Sequence, residues 1–168
     1  MKGLKSLIAK HYTKEEFAWI MQDWANSVYS LMITTAIFPL YFKTVSSNAG
    51  ISAADSTAFL GYANSIATFA VSIMAPVLGA LADYKGYRNP MFTWSTLLGV
   101  FSVIGMMFAE TDQWILLLAL YTLSAIGYSA SNIFYDSSIM DVTTYDRMDR
   151  ISAAGYGYGY IGSVFPFV

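Results

Sequence analysis

The sequence predicts an all-α, polytopic membrane helical bundle, and three observations predict it. Charge-free runs occupy 24–42, 56–82, 89–109 and 113–135, and a fifth occupies 151–168. A helix needs about 20 predominantly apolar residues to cross about 30 Å of hydrocarbon, and the first four runs reach or nearly reach that length. Charged residues make up only 12 % of the chain, against about 25 % in soluble domains. They sit between the runs, where a soluble domain would spread them along its helices. The cations are also sided. Lys2, Lys5, Lys10 and Lys14 precede the first run, Lys85 and Arg88 separate the second from the third, and Arg147 and Arg150 separate the fourth from the fifth, leaving only Lys43 on the other side. The excess of cations on one side predicts a cytoplasmic N-terminus, with 43–55 and 110–112 facing outward.

Composition excludes several functions. A net charge of −2 gives no case for nucleic-acid binding. With no cysteine and His11 as the one histidine, disulfides, thiolate sites and His-cluster metal sites are excluded, and no cofactor or metal is expected. An intramembrane enzyme lacks support: there is no nucleophilic cysteine, no membrane histidine to activate a serine and no pair of acids on facing helix centres. No Gly-x-x-x-x-Gly-Lys phosphate loop occurs, so nucleotide hydrolysis within the chain is unsupported. Lys2, Lys5 and Lys10 interrupt any signal-peptide core, so the first membrane helix acts as its own insertion signal.

The elements follow in order. Residues 1–13 form a basic cytoplasmic segment whose Leu4, Leu7 and Ile8 fit either an amphipathic interfacial helix or a disordered tail. Residues 14–168 form the transmembrane bundle. Thr13 and Glu16 make a capping box that starts the first helix, expected over 14–43. Ser52 and Asp55 repeat the pattern for the second, over 53–83. Asn89 as cap with Pro90 at the first helical position starts the third, over 90–109. Thr111 or Asp112 caps the fourth, over 112–136, and the fifth begins near 150. Pro39 and Pro76 are expected to kink their helices. Trp19, Trp94 and Trp114 lie near run ends, as interfacial anchors do. The fifth run stops with the chain, so the bundle reads as truncated.

Polar residues inside the runs supply the candidate site. Asp23, Asn26 or Ser27, Ser30 and Thr34 share one face of the first helix. Gly61, Asn64, Thr68, Ser72, Ala75 and Gly79 share a face of the second, and Ser124, Tyr128, Ser131 and Tyr135 a face of the fourth. Hydroxyl and small residues of this kind serve helix packing more often than function. An acid is different, because it costs about 2.5–3.5 kcal/mol at mid-membrane on insertion scales. Asp23 lies about 13 Å along its helix at 1.5 Å per residue. It is the only acid within a predicted membrane helix away from its terminal residue, which makes it the local candidate for a coupling proton or cation. The face of Asp23, Asn26, Ser30 and Thr34, with Tyr128 and Tyr135, is expected to line an interior that binds a small-molecule substrate.

The junction after the second run reads Gly79-Ala-Leu-Ala-Asp83-Tyr-Lys-Gly86-Tyr-Arg88. An acid at a helix C-terminus faces the negative end of the macrodipole and needs a cation or the N-terminus of another helix as partner. Arg88 and Lys85 are the local candidates for Asp83, with Gly86 permitting the reversal and Gly79 a close neighbour. Asp136, ending the fourth run, needs a partner in the same way. This segment resembles the Gly-x-Leu-Ala-Asp-x-x-Gly-x-Arg loop of the major facilitator superfamily, with Tyr84 and Tyr87 where the family has cations. Asp23-Trp-Ala-Asn-Ser27, Asn132-Ile-Phe-Tyr135-Asp136 and the glycine-rich stretch 149–162 narrow the resemblance to the vacuole-effluxer-like branch, whose fungal members export amino acids. Ile139-Met140 departs from the Leu-Pro of many relatives, which leaves the following loop open.

The resemblance implies the first five helices of a six-helix half, in a twelve-helix transporter that moves a small polar solute, such as amino acids, by alternating access. The chain is then an N-terminal piece, its partners being the bilayer, the solute, the coupling ion and the missing C-terminal half, in a plasma (inner) membrane. Loop 79–88 would be a conformational gate, and Asn132, Tyr135 and Asp136 the family-like end of helix four. A non-transporting membrane scaffold on the same fold is the competing reading. Gly157-Tyr-Gly-Tyr-Ile-Gly162 matches the dinucleotide fingerprint in letters, but lacks the preceding strand. Gly155 and Gly159 read instead as a packing face. Asp136, Asp141, Asp146 and Asp149 lack calcium-loop spacing and, with Arg147 and Arg150 interleaved, read as a solvated, internally paired loop.

Overall fold

The structure is a computed structural model that describes residues 11–84, 86–110, 112–164 and 166; expectations placed on 1–10, Lys85 and Thr111 fall outside it. Among the described residues all regular structure is helical. The order is α1 (Lys14–Tyr29), a π-helical stretch (Ser30–Ile37), α2 (Phe38–Asn48), α3 (Ala53–Ala82), α4 (Arg88–Met106), α5 (Trp114–Ser137), α6 (Ile139–Val142), a 3₁₀ turn (Tyr145–Arg147) and α7 (Met148–Val164). Three stretches are long and apolar enough to cross a membrane: Lys14–Asn48, Ala53–Ala82 and Trp114–Val142. The predicted third span, α4, has 19 residues and a polar first turn, and is not among them. The chain divides into two compact units, Met1–Thr35 with Ser138–Val168, and Ala36–Ser137.

In the first unit α1 packs along α7. The capping box forms as the sequence requires: Thr13 Oγ1 accepts from the Glu16 amide at 3.1 Å, and Glu16 Oε2 accepts from the Thr13 amide at 2.9 Å. Glu16 does more than cap. Its side chain is buried and takes a bidentate contact from Arg147, Nε to Oε1 at 2.9 Å and Nη2 to Oε2 at 2.8 Å, while Thr143 Oγ1 donates to Oε1 at 2.7 Å. Arg147 is therefore not held in an internally paired loop, and Arg150 lies over the Tyr12 ring at 5.8 Å. A buried carboxylate draws the cation because leaving it unpaired is costly. The stretch predicted as loop is partly helical, and α7 starts at Met148.

The predicted first helix continues past 43 to Asn48. Its stop is Gly50, with a left-handed φ of 78°. The Gly50 amide donates to Ser47 at 3.0 Å and the Ile51 amide to Ser46 at 2.9 Å, the paired bonds of a glycine-terminated helix end. Between its halves the helix widens to π geometry over Ser30–Ile37. Pro39 follows directly; its ring crowds the carbonyl four residues back, and a wider turn relieves that crowding. The Ser30 carbonyl accepts from the hydroxyls of both Thr34 and Thr35.

In the second unit α5 is central, packing along α4 and α3. Leu78, Ala82, Ala130 and Phe134 are buried together, with Met91 and Phe92 of α4 against them. Buried Tyr121 stacks on Phe38 at 4.0 Å between ring centres and donates its hydroxyl to Asn64 Oδ1 at 2.8 Å. Ser46 Oγ donates to Ser56 Oγ at 2.8 Å, a buried link between α2 and α3. Trp114, expected as an interfacial anchor, stacks on Phe59 at 4.9 Å. α4 begins at Arg88, with Tyr87 rather than Asn89 before it. Pro90 still falls in the first turn, where its missing N–H breaks no helical bond. α5 begins at Trp114, and Gln113 rather than Asp112 supplies the first accepting carbonyl, to the Leu117 amide.

α4 and α5 approach closely at glycine. A Cβ built on Gly127 would lie 2.6 Å from Gly99 N and 2.8 Å from Ser95 O, both backbone atoms. Backbone cannot swing aside as a side chain can, so Gly127→Ala should destabilise the full-length protein by about 1–3 kcal/mol, as overpacking does. Thermal unfolding in detergent checks this. Gly61→Ala, whose Cβ would meet nothing within 4 Å, should not lower the Tm, since it adds helix propensity without a clash.

Candidate functional site

The candidate site is the polar face of α1 and its π continuation. Asp23, Asn26, Ser30 and Thr34 are all half-buried. Two of them have local partners: the Thr34 hydroxyl donates to the Ser30 carbonyl, and Asn26 Oδ1 accepts from Gln22 Nε2 at 3.4 Å. Asp23 differs. Among the described residues no ion pair engages its carboxylate. It rests against α7, where a Cβ built on Gly155 would lie 3.1 Å from Asp23 Oδ2. A Cβ on Gly159 would lie 2.6 Å from Ser27 Oγ and 3.5 Å from Asp23 Oδ2. Gly162 meets the Trp24 ring in the same way, at 2.6 Å. Ser27, not Asn26, thus shares the α7-facing side with Asp23.

The face of α5 behaves otherwise. Ser124, Ser131 and Tyr135 are buried, and Tyr128 is half-buried. Tyr135, expected to line an open interior, is enclosed at 6 % exposure. Its stripe continues Leu117 and Tyr121, so it lies on the side of α5 that carries the unit's core. Of the motif ending α5, Asn132 is half-buried and Asp136 exposed. On α3 the buried residues are Ser56, Ala63, Ala67, Leu78 and Ala82, while Gly61, Asn64, Thr68 and Ser72 are exposed.

At the junction after α3, the expected pairing of Asp83 with Arg88 does not form; among the described residues Asp83 has no ion pair. Lys85, its other expected partner, falls outside them. Arg88 is buried and directs Nε to the Ala82 carbonyl at 2.8 Å. It thereby satisfies one of the orphan carbonyls at the end of α3. The reversal uses overlapping turns from Leu81 and Tyr84, and Gly86 is not left-handed. A Cβ on Gly79 or Gly86 would meet nothing within 4 Å.

Sequence reasoning missed the Glu16–Arg147 contact, because the capping box already accounted for Glu16. It also missed the bond from Tyr121 to Asn64, which joins positions 57 apart. The close crossing at Gly99 and Gly127 had a signal, a glycine in each of two neighbouring runs, that was not used.

Residues 51–147 match the family described as vacuole effluxer Atg22 like. Over 159 residues, 95 % of this chain, the sequence is 47 % identical to the "Uncharacterized MFS-type transporter YxiO" of Bacillus subtilis (strain 168). The chain spans 37 % of that relative's length. No solved structure matches it. The family match covers more than half of the chain, including the 79–88 junction and the end of α5. The chain belongs to the vacuole effluxer Atg22-like family.

Proposed function

We propose that the chain is part of a secondary active transporter that moves a small polar solute, with amino acids the favoured class, by alternating access. Family membership and the relative's name support a transporter. The observation that carries the residue-level reading is Asp23: a carboxylate on a membrane-crossing helix, half-buried and without an ion pair among the described residues, on the same helical stretch as Asn26, Ser30 and Thr34. Intramembrane acids of this kind mark ion or substrate pathways. In this reading Asp23 takes a coupling proton or cation, or the ammonium group of the solute. Asn26 and the hydroxyls of Ser30 and Thr34 hydrogen-bond its polar groups. Gly79, Asp83, Gly86 and Arg88 form a conformational gate, with Arg88 bracing the end of α3. The protein is a multi-pass protein of the plasma membrane with a cytoplasmic N-terminus, and the remaining length of the full protein supplies the second half of the site.

Gradient-driven uptake of an amino-acid panel into liposomes holding the full-length protein tests this. Losing a buried, hydrogen-bonded charge contact costs about 2–5 kcal/mol, so Asp23→Asn should lower coupled uptake about tenfold or more, with Asp23→Glu retaining part of it. Uptake by Asp23→Asn equal to wild type at equal protein level would remove Asp23 from the mechanism. Orientation is checked separately, and the absence of cysteine in this chain helps. In the full-length protein with any other cysteines removed, a cysteine at Gly50 should react with a membrane-impermeant maleimide in intact cells, and one at Gly86 only after permeabilisation. The reverse pattern would invert the topology.

A further inference from the structure

We infer that Gly155 and Gly159 are positioning residues for Asp23: the notch they leave on α7 sets where the carboxylate sits and thereby tunes its coupling role. This rests on the assignment of Asp23 proposed above. Asp23 Oδ2 would be 3.1 Å from a Cβ on Gly155 and 3.5 Å from one on Gly159, so it lies between two glycines one turn apart. A Cβ on Gly155 would be tighter than ordinary contact, so the carboxylate would have to give by a few tenths of an ångström, while one on Gly159 would reach it at ordinary contact distance and close the space beside it. The buried side of α7 is Ile151, Gly155, Gly159 and Gly162, with no titratable group. Elsewhere on α7, Tyr156 and Tyr160 are exposed and Tyr158 meets Phe17 edge-on. On α1 the other acid facing this side, Glu16, is engaged by Arg147 and Thr143, and Asp141 of α6 is exposed. Among the described residues of this unit no ion pair fixes the carboxylate; the shape of the notch does. Gly157 marks the contrast, since a Cβ there would meet nothing within 4 Å.

The test uses the full-length protein in liposomes, with Gly155→Ala, Gly157→Ala and Asp23→Asn. Both glycine changes raise helix propensity alike, so their difference reports what the added Cβ meets, Asp23 Oδ2 and the Trp19 ring, each at 3.1 Å, and modification of Asp23 itself separates the two. The readouts are the pH profile of transport and the rate at which dicyclohexylcarbodiimide modifies Asp23, followed by peptide mass mapping. Gly155→Ala should shift the pH midpoint and change the modification rate several-fold, while Gly157→Ala matches wild type in both. If Gly155→Ala does not assemble, Gly159→Ala combined with Ser27→Ala removes the clash with the Ser27 hydroxyl while still narrowing the notch, and should change the modification rate in the same way. A wild-type pH profile and modification rate in Gly155→Ala, or a wild-type rate in the double variant, overturns the inference. If Asp23→Asn itself keeps coupled transport, the parent assignment fails. If it loses transport while the glycine variants match wild type, only the positioning role fails.

Discussion

The arrangement of the first unit depends on one buried carboxylate. Glu16 accepts from the Thr13 amide, the Thr143 hydroxyl and two guanidinium nitrogens of Arg147, and Arg147 also donates to the His11 carbonyl at 3.0 Å. An ionised carboxylate withdrawn from water is tolerated only when paired and saturated with donors, and this one is. The contacts join positions 131 apart in sequence, so the charge that caps the start of α1 also fastens the stretch leading into α7. With the bases of α1 and α7 joined, Trp19, Asp23, Trp24 and Ser27 meet Gly155, Gly159 and Gly162 further along.

Helices in hydrocarbon gain little from burying apolar surface against one another and associate through close packing and polar contacts instead. Both units follow this rule with glycine, α1 on α7 in one and α4 on α5 in the other. Hydroxyl groups need no partner helix. Thr44, Thr57, Ser65, Thr93, Ser102 and Thr122 each donate to the carbonyl four residues back, which serves a polar side chain within its own helix. A carboxylate cannot do this, because it has no proton to donate when ionised. This separates Asp23 from Thr34 and Thr35, whose hydroxyls are served by the Ser30 carbonyl of their own helix.

Most of the fold was legible from charge spacing alone, since uncharged runs and their caps are local features. Thr13 with Glu16 and Ser52 with Asp55 marked two helix starts within one residue. Ends were harder. Lys43 looked like a boundary, but a helix extends beyond the apolar stretch until a residue stops it, and Gly50 does. Asn89-Pro90 suggested a start, yet Arg88 joined the helix because its side chain could serve the preceding carbonyl. The π stretch was not legible, because Pro39 announces a disturbance but not its form. Within the site, Asp23 stood out in sequence as an acid among apolar residues. Its seat on α7 did not, since it depends on which side of two distant helices meet. Tyr135 matched the spacing of a lining residue and is buried, as one periodicity describes both a cavity face and a core face.

The central physical claim is that Glu16 and Arg147 act as one fastening, and a double-mutant cycle on the full-length protein tests it most directly. Thermal unfolding in detergent would be followed for Glu16→Gln, Arg147→Gln and the pair. If the contact is made as described, each single change lowers the Tm by leaving its partner unsatisfied, and the double variant loses clearly less than the sum of the two. Additive losses, or single variants with the wild-type Tm, would contradict it.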